Sequence, residues 1–253
     1  MSIPRIIHQT AEDWKSLNED FKNNIKDLQE KNPNWNYKFY SNTDRVQYIK
    51  RNFPDLLTFY KAINPNYGAA QADFFRYCVL YNEGGVYLDI KSNVNRSLDD
   101  IINKEDEFVW QSGASRDWKM RNYEGIRYEI MQWFICTKAK HPFLWNVLEA
   151  IQEEMQKEKY LGNSTRVSVL DLTGPDIYSK TIYKLMDSNN SYKHRQLDDS
   201  NEDFLYNPQN IYYSRSIKRV QYVDLREPVL LYKPNLVEKF TTFSFSVSPI
   251  GIM

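Results

Sequence analysis

The apolar residues of the chain change their period several times in the first hundred positions. Ile6-Ile7 is a short continuous run and predicts a buried strand over Arg5–Gln9. Trp14, Leu17, Phe21, Ile25 and Leu28 recur at helical spacing and predict a helix over Glu12–Lys31, stopped by Asn32-Pro33-Asn34. Trp35, Tyr37 and Phe39 alternate, which predicts a second strand over Trp35–Tyr40. Thr43–Arg51 and Pro54–Ile63 read as short helices. Gly68–Tyr81 reads as a strongly apolar helix that Asn82-Glu83-Gly84-Gly85 ends, glycine supplying the left-handed cap. Val86–Ile90 is apolar throughout and predicts a central strand covered on both faces.

Farther on, Phe108–Gln111 and Met131–Thr137 are strand candidates. The polar stretch 112–129 between them reads as a long surface loop, of the kind that is often functional. Pro142–Tyr160 reads as a helix with proline in its first turn. Another starts at Gly174-Pro175 and runs to about Met186. In the last third the alternation is too broken to assign elements. Strands alternating with helices predict an α/β fold with a mostly parallel sheet. Ligands of such sheets bind beyond the carboxyl ends of the strands, which puts Asp89 on the binding rim.

Composition narrows the choice. Lys plus Arg equals Asp plus Glu at 33 each, so nothing marks a nucleic-acid surface. With 42% hydrophobic and 26% charged residues, the chain reads as soluble and globular. No apolar run approaches the length of a membrane span. Cys78 and Cys136 sit in apolar runs and are expected to be buried free thiols, which fits a reducing compartment. The sequons at Asn95, Asn163 and Asn189 read as chance matches, because no signal segment precedes them. There is no repeat and no Gly/Ser linker, so residues 1–253 are expected to form one domain. No G-x-G-x-x-G follows the first strand, which disfavours a dinucleotide-binding dehydrogenase.

Three segments carry candidate chemistry. Asp73 and Arg76 share one helix face and can pair or reach one ligand together. Taken alone, they could equally brace the helix. Asp89 alone reads as a strand-end carboxylate, and His8 alone as a core histidine. Lys91 is two residues beyond Asp89, so it shares that face if the strand continues, and a salt bridge would hold Asp89 ionised.

Taken in order, IPRIIHQT, NPNWNYKFYS and AAQADFFRYCVLYNEGGVYLD resemble the glycosyltransferases of family 32. These carry a sugar-binding region with a DxD motif and are related to initiating mannosyltransferases and glycosylating toxins. The resemblance is dense over residues 3–99. It then thins to Lys140-His141-Pro142-Phe143-Leu144 and Thr173-Gly174-Pro175. It implies a single GT-A type nucleotide-diphospho-sugar transferase domain with a Rossmann-like mixed sheet. The nucleotide-sugar part would cover about 1–110 and the acceptor side about 111–253.

The implied activity is retaining transfer of a hexose from a nucleotide-diphosphate sugar to a glycan or other hydroxyl acceptor. The implied donor-binding residues are Ile7, His8, Gln9, Asp73, Arg76, Tyr77, Gly85 and Asp89. Asp73, Asp89 and Lys91 are the implied catalytic residues. Trp118 and Tyr123 would stack on an acceptor sugar. No leading anchor is seen, which sets the chain apart from Golgi relatives. The expectation is a cytoplasmic enzyme of a microbe or virus, acting in a host cytosol.

Lys91 departs from the motif, because it stands where the second Asp belongs. A DxD carboxylate pair holds Mn²⁺ or Mg²⁺ against the diphosphate, and a protonated lysine cannot ligate a metal. The metal could survive on Asp89 with Ser92 or Asn93 and water. Lys91 could instead replace it as a fixed cation. A third reading is a protein that binds nucleotide sugar or glycan without turnover. Asp73, Arg76 and Asp89 are all retained, which favours activity.

Overall fold

A computed structural model describes residues 2–113, 127–162, 166–188, 192–198, 200–211 and 225–236. Trp118 and Tyr123 lie outside the described residues.

Strand β1 (Ile6–Thr10) is central among the first elements, pairing in parallel with β2 (Asn36–Tyr40) on one side and β3 (Gly85–Leu88) on the other. On its far side β3 meets β6 (Phe134–Thr137) antiparallel. Next come β5 (Phe108–Trp110), antiparallel to β6, and β7 (Arg195–Gln196), parallel to β5. The sheet order is β2-β1-β3-β6-β5-β7. It is therefore mixed yet mostly parallel: five of its six strands run one way, and β6 runs against them. A separate ladder joins β4 (Asn93–Val94) to β8 (Phe204–Leu205).

The alternation of β3 sorts the two cores. Val86 and Leu88 face a cluster with Ile7, Leu28 and Cys136, whereas Tyr87 faces the opposite cluster with Phe74, Cys78 and Leu144. Helix α1 (Glu19–Lys31) and the short α5 (Leu98–Ile101) cover the first face. The second is covered by α2 (Asn42–Asn52), α3 (Leu57–Ala62), α4 (Gly68–Glu83), α6 (Pro142–Glu154), α7 (Arg166–Leu172) and α8 (Pro175–Ser188). Both cysteines are buried and free, as their apolar surroundings predict. Burial raises both thiols well above their ordinary range. Among the described residues no helix is long and apolar enough to cross a membrane.

Boundaries moved where side chains intervene. The first helix starts at Glu19 instead of Glu12, because Asn18 in extended conformation accepts a bond from the Phe21 N–H and caps it. Trp14 falls before that cap and is 44% exposed. Helix α6 stops at Glu154, and a single 3-10 turn at Glu158–Tyr160 follows.

Helix α4 ends at Gly84, whose φ of 68° makes the left-handed exit. Gly85 follows with φ of 99°, and a Cβ there would lie 2.5 Å from the Ile6 carbonyl oxygen. Two glycines are therefore needed to drop α4 directly into the middle of the sheet.

Candidate active site

Because β1, β2 and β3 are parallel, their carboxyl ends share one rim. The antiparallel β6 enters at that same rim, with Leu88 opposite Phe134. Asp89 therefore meets residues 131–133, and its N–H donates to the Trp133 carbonyl at 2.8 Å.

Arg76 reaches this rim from α4 and joins the rest. Its Nη2 lies 2.9 Å from Asp73 Oδ1 and 3.2 Å from Asp89 Oδ1. Its Nη1 donates to the Gln132 carbonyl at 2.7 Å, and the guanidinium lies over the Tyr87 ring, 4.5 Å from the centroid. Thr173, just after α7, donates to Asp73 Oδ2 at 3.2 Å. Only Asp89 presents much of itself to solvent, at 28% of its side chain against 6% for Arg76 and 9% for Asp73.

Burial pushes the Asp73 carboxyl up to about 7; Arg76 opposes the shift and Asp89 adds to it. Burial also disfavours the Arg76 charge, yet Tyr87, Asp73 and Asp89 more than offset this and hold the guanidinium charged. The two directions look inconsistent for one ion pair. They agree once Arg76 is seen to serve two carboxylates. One positive charge cannot neutralise both, and the more deeply buried acid takes the upward shift.

The predicted residues divide between rim and interior. Gln9 belongs to the rim, donating from Nε2 to the Asp89 carbonyl at 3.0 Å and accepting from Tyr37 at 3.0 Å. Ile7 and His8 do not reach it. Ile7 is fully buried between β1 and α1. The His8 ring nitrogens lie 3.1 Å from the Tyr40 hydroxyl and 2.9 Å from the Gly84 carbonyl. Burial lowers its pKa to about 4. His8 is a core histidine.

Gly85 lies at the opposite end of β3 from Asp89, so its role is in the backbone. Tyr77 is fully buried behind Asp73, donating to the Thr173 carbonyl at 2.9 Å and accepting from Gln132.

The DxD position differs from the strand reading as well. Strand β3 ends at Leu88, and the Ser92 N–H donates to the Asp89 carbonyl at 2.8 Å. Residues 89–92 are a tight turn, so the two-residue parity that would aim Lys91 beside the Asp89 carboxylate is lost. No ion pair joins Lys91 to Asp89; Arg76 is the counter-ion. Lys91 Nζ sits 4.2 Å from the centroid of the Tyr206 ring.

Helix α1 fixes the turn from outside, as Asn24 Nδ2 donates to the Ile90 and Ser92 carbonyls at 3.3 and 3.1 Å. Gln132, Thr173, Tyr87, Trp133 and Tyr206 were not anticipated as site residues. Two runs in the sequence pointed toward some of them: Thr173-Gly174-Pro175, and the GGVYLD run that carries Tyr87.

Among the described residues, those at the motif do not fit a DxD metal clamp. Arg76 already occupies Asp89 Oδ1, and an ammonium stands in the second acidic position. The Asn93 amide is committed to Asn24 and Asp27 on α1. Ser92 is fully buried, with its hydroxyl unpartnered. Among the described residues no three His, Cys, Asp or Glu side chains cluster to hold an ion.

The mixed α/β sheet, with its acidic rim at the carboxyl end of β3, has the GT-A type of fold. Over 73% of this chain and 70% of the other, it superposes on the PaToxG glycosyltransferase with a TM-score of 0.52 at 19% identity. Residues 18–108 match the family described as the glycosyltransferase sugar-binding region containing DXD motif.

The chain is similar to the initiation-specific alpha-1,6-mannosyltransferase of Candida albicans, at 26% identity over 74% of this chain and 54% of the relative. It is also similar to inositol phosphoceramide mannosyltransferase 3 of Schizosaccharomyces pombe, at 33% identity over 40% of this chain and 28% of the relative. The chain thus spans about half or less of the length of these relatives.

Proposed function

We propose that the chain transfers a hexose from a nucleotide-diphosphate sugar to a glycan or other hydroxyl acceptor, with retention of anomeric configuration. The observation that carries this reading is the Asp73–Arg76–Asp89 cluster at the carboxyl end of β3, inside the segment that matches the sugar-binding family. The names of the relatives support a mannosyl group as the one transferred.

Asp89 Oδ2, which takes no bond from Arg76 or Tyr87, would accept bonds from donor hydroxyls. Arg76 sets the angle of both carboxylates and cannot itself lose its proton. In the transfer, the acceptor oxygen bonds to the anomeric carbon on the face from which the diphosphate departs, which retains the configuration. The bond from that carbon to the diphosphate oxygen breaks, its electron pair leaves with the diphosphate, and the acceptor proton passes to water or to the leaving group. The carboxylates face the positive charge that develops on the sugar ring, fixed in place before reaction.

The test is nucleotide release from a panel of UDP- and GDP-hexoses with a glycan acceptor, for native protein and for Asp89→Asn. The expected result is release from one donor, with at least a hundredfold loss in the variant, in line with the cost of removing one preorganised group. Donor binding without release for any acceptor would leave a binding protein on this fold.

A further inference from the structure

This inference rests on the donor reading above and concerns what neutralises the diphosphate. We propose that Lys91, held on the face of Tyr206, is a built-in cation that takes the place of the divalent metal, so that the donor binds without one. Lys91 occupies the second acidic position of the motif, and the turn presenting it is rigid. Gln9 holds the Asp89 carbonyl, and Asn24 holds those of Ile90 and Ser92.

The ammonium has no carboxylate partner among the described residues and rests on an aromatic face. One face of the cation is thus taken, and its remaining N–H donors are open to an anion. Tyr206 is itself set from below. It packs on Trp133 at 5.4 Å between centroids, Trp133 on Phe134 at 4.9 Å, and Phe134 stacks on Phe204 at 4.1 Å. The β4–β8 ladder and the Arg96–Asp203 ion pair at 2.7 Å fix that segment beside the turn.

Charge points the same way. With Asp73 ionised, Asp73, Arg76 and Asp89 sum to one negative charge, which a diphosphate alone would not approach. A metal clamp would cancel it with a divalent ion, and here the lysine does so. Tyr206 acts through Lys91 and is a positioning residue. It is 49% exposed, so its replacement leaves the core intact.

The experiment measures the affinity of native protein for UDP, GDP and their hexose conjugates by calorimetry, in EDTA and in Mn²⁺. The inference expects nucleotide affinity to be equal in the two buffers within about twofold. Lys91→Met should weaken diphosphate binding roughly 10- to 100-fold in both, the value of a charge-assisted bond. UMP and GMP, which lack the second phosphate, should bind Lys91→Met and native protein alike. Lys91→Asp should bind poorly in EDTA and recover in Mn²⁺. Tyr206→Leu should lose part of the affinity, and Tyr206→Phe, which keeps the ring face, should restore it.

Native binding that needs Mn²⁺, or Lys91→Met binding as well as native, would overturn the inference while leaving the donor reading intact. Absence of any nucleotide binding in either buffer would sink the donor reading and this inference with it.

Discussion

Arg76 is the residue on which the rim depends. It touches Asp73, Asp89, the Gln132 carbonyl and the Tyr87 ring, and almost none of it meets solvent. Removing one member of such a buried pair leaves uncompensated charge, at a cost of about 3–5 kcal/mol. Arg76→Ala is therefore expected to lose that much stability in urea unfolding at pH 7.5. Adding Asp73→Asn should return part of it, because the deepest carboxylate then carries no charge. A double variant no more stable than Arg76→Ala would show that Asp73 does not bear the strain of the shared guanidinium.

At the scale of elements, the exit from α4 into β3 leaves no room for a side chain. Gly85→Ala would place a methyl group against the Ile6 carbonyl at a left-handed φ. The cost expected is about 2–5 kcal/mol, read as a fall in Tm of roughly 5–15 °C. A Tm within 2 °C of native would refute that account, with ~2 °C itself the size of a minor surface effect.

This passage was legible in sequence, because caps and apolar runs are local signals. The helix, the glycine pair, the strand and the position of Asp89 follow from contiguous residues. The partners supplied from elsewhere were not legible. Gln132 reaches Arg76 across 56 positions and Thr173 reaches Asp73 across 100. Nothing around Gln132 announces a charged partner, and Thr173-Gly174-Pro175 marked a place in the chain without showing what Thr173 would hold. Lys91 was misplaced for a different reason, since parity along a strand holds only while the strand lasts. His8 and Gly85 were assigned to donor binding from the resemblance, but the His8 ring is turned into the core against Tyr40 and Gly84, and Gly85 starts β3 at the end away from Asp89.

The whole molecule carries two buried histidines, and both bear on its acid stability. Burial lowers His8 and His141 each to about 4 from an ordinary 6.5. A base whose folded pKa is depressed binds its proton more readily when unfolded. Its stabilising contribution is complete above about 6.5 and is lost as pH falls toward 4, up to about 3 kcal/mol for each. Asp73 acts in the opposite sense. Its raised pKa favours the fold at low pH, and that contribution fades as pH rises from about 4 to about 7.

A comparison of variants separates these effects. His141 caps α6 by accepting from the Phe143 N–H at 3.3 Å, and its Nε2 lies 3.3 Å from the Lys193 carbonyl. Asparagine keeps the cap and cannot titrate. His141→Asn should be less stable than native at pH 7.5, and the difference should shrink by up to about 3 kcal/mol at pH 4.5. A difference that stays constant between the two would mean that His141 is not held neutral.

The spread of the rim along the chain also has a consequence in time. Asp73 is made early, and its partner Thr173 emerges 100 residues later. At a synthesis rate of about 5–20 residues per second, the charged face of α4 waits roughly 5–20 s on the ribosome before its neighbours exist. A nascent chain halted before residue 173 would carry the whole family segment and still lack a closed site.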